Sequence, residues 1–152
     1  VTGEALYTKN AYPEVFSKKC ADIINPDVAN TGGILELKEI GAMAEASQVA
    51  MSPHNYNSTT IALASTLHAS ITMPNFLITE YFMPFEDVGL VISDRPLIPV
   101  DGYITLNDSP GLGIALNEEK LNDYPYKEFK RSLPERNNEG FYGGAWPDNT
   151  GN

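Results

Sequence analysis

The chain has 152 residues, 42% of them apolar, and a formal net charge of −10. That length predicts one domain and falls short of the roughly 250 residues of a complete eight-stranded α/β barrel. The acidic balance argues against nucleic acid as a partner, because phosphates require Lys/Arg clusters, and no apolar run approaches the roughly 20 residues of a membrane span.

Val1-Thr2-Gly3-Glu4 reads as the tail of a first strand. It lacks a basic stretch followed by a long apolar one, so a cytoplasmic protein without a secretory leader is expected. Ala11–Lys19 reads as a short helix with Pro13 in its first turn and lysines near its end. The single cysteine, Cys20, excludes an intrachain disulfide framework and, beside an expected strand, reads as a small core residue. Ala21–Asn25 is the second strand, ending at Pro26-Asp27, and Thr31-Gly32-Gly33 is a turn. From Ile34 to Ser47, Ile34, Leu37, Ile40/Gly41 and Ala44 recur at helical spacing. Gln48–Ser52 is the third strand, stopped by Pro53-His54-Asn55. Ser58 or Thr59 caps a helix over Thr60–Ser70 whose apolar side is Ile61, Leu63, Ala64 and Leu67. Pro74 ends it, and Asn75–Phe82 is the fourth strand.

Strands alternating with helices of this length imply βαβ units and a parallel sheet, here about half of a (β/α) barrel over residues 1–82. Beyond Phe82 proline, glycine and aspartate become frequent. Residues 83–152 read as an extension with two short strands, Tyr103–Leu106 and Gly113–Leu116, around the turn Asn107–Leu112. A brief helical segment follows at Glu118–Asp123, and from Leu133 the chain is a polar, Gly/Asn-rich tail.

Ionisable residues gather at one kind of position. Glu4, Asp27, His54 and Glu80 each stand at the C-terminal end of a successive strand, and in a parallel barrel those ends share one mouth. Each has a bland alternative. Glu4 could be a terminal acid, Asp27 a turn or helix cap, and His54 a loop residue satisfied by backbone. Glu80 is the hardest to explain that way, since a carboxylate inside an apolar strand is costly without a partner or a task. His68, in the middle of a helix, reads as a packing or surface residue. A histidine can move a proton near neutral pH, and a neighbouring aspartate fixes its tautomer. The chemistry that fits is proton transfer beside a metal-bound carboxylate, with Glu80 as a neutral acid donating to the developing oxyanion.

The ordered set Gly3-Glu4, Asn25-Pro26-Asp27-Val28 with Gly32-Gly33, Ala42–Ala46, Ser52-Pro53-His54-Asn55, Pro74-Asn75-Phe76 through Thr79-Glu80-Tyr81, and Ser109–Gly113 resembles the enolase superfamily. Within it, the set is similar to the mandelate racemase/muconate lactonizing enzyme group, and most of all to its acid-sugar dehydratases of the galactonate and gluconate type. The resemblance runs from Val1 to about Leu121. It implies the C-terminal half of a TIM-type (β/α) barrel followed by a segment returning to a capping domain. It implies that Glu4 is one of three carboxylate ligands to Mg²⁺, that Asp27 and His54 form the acid/base dyad, and that Glu80 hydrogen-bonds the substrate carboxylate or enediolate. The reaction implied is loss of water from a small-molecule sugar acid to give a 2-keto-3-deoxy acid, in a protein that is a homo-oligomer when full length. Asp27 stands where the muconate-lactonizing branch has lysine, which argues against that branch. Asn25 departs from the family's glutamine. The family's other two metal ligands, its second-strand base and the N-terminal capping domain would lie before Val1, so the isolated chain is expected to be inactive. Two alternatives stay open: a catalytically silent half-barrel, and a racemase or epimerase of the same superfamily.

Overall fold

A computed structural model describes residues 1–128 of the chain. Four extended segments lie side by side in sequence order, all parallel. Thr2 bridges Ile24, the strand β1 (Ile23–Ile24) pairs with β2 (Ala50–Met51) in the register Ile23 to Ala50 and Ile24 to Met51, and Met51 bridges Phe76. The expected α/β alternation is therefore present, with mixed helix and strand and parallel neighbours.

The regular ladder is shorter than the apolar runs suggest, because most pairing continues as isolated hydrogen bonds. The Asn25 amide donates to the Thr2 carbonyl at 2.9 Å, that of Ser52 to Ile24 at 2.9 Å, and that of His54 to Pro26 at 3.1 Å. The expected fourth strand, Asn75–Phe82, is reduced to the bridge at Phe76 and two further contacts to the third segment. Leu77 donates to the Met51 carbonyl at 2.9 Å and Glu80 to that of Pro53 at 3.2 Å. Among the described residues this segment is paired along one side only, which makes it an edge, and Leu77 is 60% and Ile78 62% exposed.

The first helix is shorter than its pattern suggested. A 3₁₀ turn at Lys9–Ala11 precedes α1 (Pro13–Ser17), with Pro13 at its first position as the missing N–H there permits. The expected turn at Thr31 is instead the end of a short helix, α2 (Val28–Thr31). Gly32 and Gly33, at φ 124° and 99°, then reverse the chain into α3 (Ile34–Ala46), a backbone path side chains resist. Leu37, Ile40, Gly41 and Ala44 form the buried stripe of α3, whereas Ile34 is 41% exposed and falls outside it. The close approach at Gly41 is to Met73, whose Sδ would lie 2.9 Å from an added Cβ. The helix α4 (Thr60–Ser70) matches its predicted span. Thr59 occupies its N-cap position without a capping side-chain hydrogen bond, and Ile61 points outward at 37% exposure.

Two apolar clusters meet on α4. One joins Tyr12, Ile24, Val28, Leu37, Ile40 and Met51 between the sheet and α3. The other sets Leu63, Ala64 and Leu67 against Leu97, with Ile104, Leu106, Leu112 and Ile114 around them, so the chain beyond Phe82 folds back onto the far side of α4. The sequence reading of that segment needs correction. A 3₁₀ turn, Met83–Phe85, leads directly into a helix, α5 (Glu86–Ile92), that its Pro/Gly texture concealed. The expected pair of strands is absent, and isolated antiparallel bridges stand in their place, Val100 with Tyr103 and Ser93 with Leu116. His68 donates from Nε2 to the Leu112 carbonyl at 3.2 Å, fastening this segment to α4. The short helix α6 (Glu118–Leu121) forms as expected, capped by Asn117. The predicted polar tail from Leu133 lies outside the described residues. Cys20 is exposed, not in the core: it sits in the turn after α1, before β1 begins.

Candidate active site

The bridge that extends the β1–β2 ladder pairs Asp27 with His54, so the two side chains leave adjacent parallel strand ends on the same side. His54 Nδ1 lies 2.8 Å from Asp27 Oδ2. The other Asp27 oxygen accepts from the Ala29 amide at 2.8 Å, making Asp27 the N-cap of α2. Asp27 thus caps α2 with one carboxylate oxygen and contacts the His54 ring with the other. Its side chain is 5% exposed and that of His54 17%. Because a carboxylate with both oxygens occupied only accepts, Nδ1 carries the proton and Nε2 is left to face outward.

Nε2 lies 3.7 Å from Glu80 Oε2. The same Glu80 oxygen accepts from the backbone amide of Asn55 at 3.1 Å. Glu80 itself is not the buried carboxylate its sequence setting predicts. Its side chain is 49% exposed, because the segment that carries it is a one-sided edge. An aromatic row borders the group: the rings of His54 and Tyr56 are 6.2 Å apart, Tyr56 and Phe82 4.7 Å, and Phe82 and Phe85 5.1 Å.

Glu4 follows the outermost segment on the opposite flank and is exposed. Its backbone carbonyl accepts from Asn30 Nδ2 at 3.5 Å. Its charge reaches the buried Tyr12, whose hydroxyl donates to the Gly3 carbonyl at 3.0 Å. Burial and then the Glu4 carboxylate hold the Tyr12 phenol well above its usual range. Near the other flank, Tyr81 donates to Glu86 Oε2 at 2.8 Å, and burial followed by that carboxylate pushes its pKa up to about 12.

The structure thus brings Asp27, His54 and Glu80 together and leaves Glu4 apart from them. Among the described residues no three His, Cys, Asp or Glu side chains gather as a metal-holding cluster. One exposed carboxylate does not retain Mg²⁺, which keeps its waters unless several oxygens compete. These residues alone therefore do not fit that ion. The sequence reading gave no role to Asn55, which is 1% exposed, or to Thr79 beside Glu80. The signal available for Asn55 in the sequence was its place, a polar amide directly after a strand-end histidine.

A parallel α/β domain with a hydrogen-bonded Asp–His pair at adjacent strand ends is the class these features define. Residues 1–120 match the family model described as Enolase C-terminal domain-like. The chain belongs to that family, the C-terminal domain of the mandelate racemase/muconate lactonizing enzyme group of the enolase superfamily. It is 35% identical over 123 residues to D-galactonate dehydratase of Pectobacterium atrosepticum, covering 77% of this chain and 32% of that one. It is 32% identical over 126 residues to a D-galactonate dehydratase family member of Streptomyces bingchenggensis, covering 82% of this chain and 30% of the relative. Among solved structures, an enolase from Agrobacterium radiobacter with bound sodium and L-malate superimposes with a TM-score of 0.78 at 31% identity, over 88% of this chain and 37% of that one. The chain spans about a third of the length of the curated relatives it matches. No helix among the described residues is long and apolar enough to cross a membrane.

Proposed function

We propose that this chain forms the C-terminal part of an acid-sugar dehydratase barrel and supplies its acid/base histidine. The observation that carries the reading is the 2.8 Å contact of His54 Nδ1 with Asp27 Oδ2, which leaves Nε2 facing the side where Glu80 stands. Membership of the enolase family and the dehydratase names of its relatives support the reaction class.

In this reading His54, protonated at Nε2, gives that proton to the departing β-hydroxyl. The C–O bond breaks with its electron pair on oxygen, and the product is water. The α-proton is taken by a base outside the described residues, and the resulting enol tautomerises to a 2-keto-3-deoxy acid. Asp27 keeps the imidazole in one tautomer and stabilises its charged form. Glu80, as a neutral acid, donates a hydrogen bond from one carboxyl oxygen to the substrate carboxylate or enediolate. We assign Glu4 as one carboxylate toward Mg²⁺ in a site whose remaining ligands come from elsewhere, and no proton transfer is routed through that ion. The exposed edge at Leu77 and Ile78 is where further barrel strands or a second copy would pair.

The test places residues 1–120 in the matched third of the Pectobacterium relative. The chimera is expected to dehydrate a sugar acid such as galactonate or gluconate. His54→Asn is expected to lower kcat by about 10²–10⁴-fold, the range for removing a general acid, with little change in Mg²⁺ affinity. Unchanged turnover in His54→Asn overturns the assignment. The 152-residue chain alone with Mg²⁺ is expected to show no turnover, and measurable dehydration by it contradicts the reading of an incomplete site.

A further inference from the structure

We propose that Asn55 is the positioning residue of this site, holding His54 and Glu80 in register through a hydrogen-bonded clamp. This rests on the reading that His54 transfers a proton while Glu80 faces it.

The clamp joins three elements. Asn55 Nδ2 donates to Thr79 Oγ1 at 2.8 Å, and Thr79 Oγ1 donates to the Pro53 carbonyl at 2.8 Å. Thr66 of α4 donates from Oγ1 to Asn55 Oδ1 at 3.1 Å. Asn55 is 1% exposed and Thr66 is fully buried. The proton count fixes the residue type. Thr79 spends its one hydroxyl proton on Pro53, so position 55 must donate to it, while Thr66 gives its proton, so position 55 must also accept. A carboxylate cannot donate, a hydroxyl is too short to span both partners, and an apolar side chain gives up both bonds, leaving the Thr66 hydroxyl to turn back onto its own helix as those of Ser65 and Ser70 do.

The side chain thereby fixes the peptide whose N–H reaches Glu80 Oε2 at 3.1 Å. That contact matters because Glu80 stands on an exposed edge with its side chain half in solvent, where a free carboxylate would sample several rotamers. A hydrogen bond from a rigid amide selects the one that lies 3.7 Å from His54 Nε2. Asn55 acts through the backbone and through Glu80. It is not itself the group that moves a proton.

The ¹⁵N-labelled 152-residue chain tests this through hydrogen exchange of the residue-55 backbone amide at one fixed pH. In the wild type the amide is expected to be protected by its bond to Glu80, and Glu80→Ala is expected to reduce that protection at least tenfold. Asn55→Ala is expected to lose it too. Ser70→Ala, which deletes a buried hydrogen bond to the Thr66 carbonyl without touching the clamp, is expected to keep it. Should Asn55→Ala fail to fold, Thr79→Val removes one partner of Asn55 and is expected to reduce the protection at least twofold. In the chimera, Asn55→Ala is expected to lower kcat on the order of 10–100-fold with KM nearly unchanged. A wild-type amide whose exchange ignores Glu80, or protection that survives intact in the Asn55 and Thr79 variants, overturns the clamp. A Glu80-dependent amide combined with a dispensable His54 overturns the functional reading alone.

Discussion

Asp27 and His54 sit on the two inner segments of the parallel array, and Glu4 and Glu80 on the two flanks. The inner pair has a neighbour on both sides, is 5% and 17% exposed, and is locked oxygen to nitrogen. Each flanking residue has a neighbour on one side only and lies in solvent. Strand-end position gives all four residues a common direction. Burial and fixed geometry come only where strands continue on both sides. The inner pair is therefore fixed by the described residues themselves, whereas each flanking carboxylate depends on whatever packs beyond it.

The largest contrast in stability should follow this division. Asp27→Ala removes the α2 cap and leaves the buried Nδ1–H of His54 without its acceptor. It is expected to destabilise the chain by about 2–3 kcal/mol in urea unfolding. Glu4→Ala should change stability by no more than about 0.5 kcal/mol, as exposed substitutions do, and Glu80→Ala, which frees the Asn55 amide, by about 1 kcal/mol. Equal losses at inner and flanking sites would break the comparison.

A smaller effect lies beneath the Glu4 flank. Tyr12→Phe removes the buried hydrogen bond to Gly3, a loss of about 1 kcal/mol near neutral pH. Its pH dependence has a definite sign. The folded Tyr12 pKa is raised, so above pH 10 the unfolded chain releases this proton while the native chain keeps it. The stabilisation is complete below about pH 10 and declines as pH rises toward the raised value. Chemical denaturation between pH 9 and 11 should show the wild type losing stability faster than Tyr12→Phe, and parallel curves would contradict the burial of that phenol. The smallest effect concerns Cys20. Its exposure predicts rapid thiol modification in the native chain with no change in unfolding midpoint, whereas protection until unfolding would restore the core reading.

The parts of this architecture that were legible in the sequence are those with local causes. The α3 stripe of Leu37, Ile40, Gly41 and Ala44 and the span of α4 follow from periodicity, and the strand-ending prolines Pro26 and Pro53 placed Asp27 and His54 side by side. What failed depended on neighbours. Asn75–Phe82 has the composition of a buried strand, yet no described residue pairs with its outer side, so Glu80 emerged exposed. In α5 the flanking Pro84 and internal Gly89 disguised a helix held by the packing of Gly89 on Thr60. Asn55 was visible as a residue, but its work is set by Thr66 and Thr79, which only the fold brings to it.

The measurement that bears most directly on the inner pair is the tautomer of His54, read from long-range ¹H–¹⁵N correlations in the folded chain, whose only other histidine is His68. A neutral imidazole protonated at Nδ1, reverting to the usual Nε2–H mixture in Asp27→Asn, is the result expected from the 2.8 Å contact to Asp27. A neutral His54 whose single ring proton sits on Nε2 in the wild-type chain would contradict the dyad.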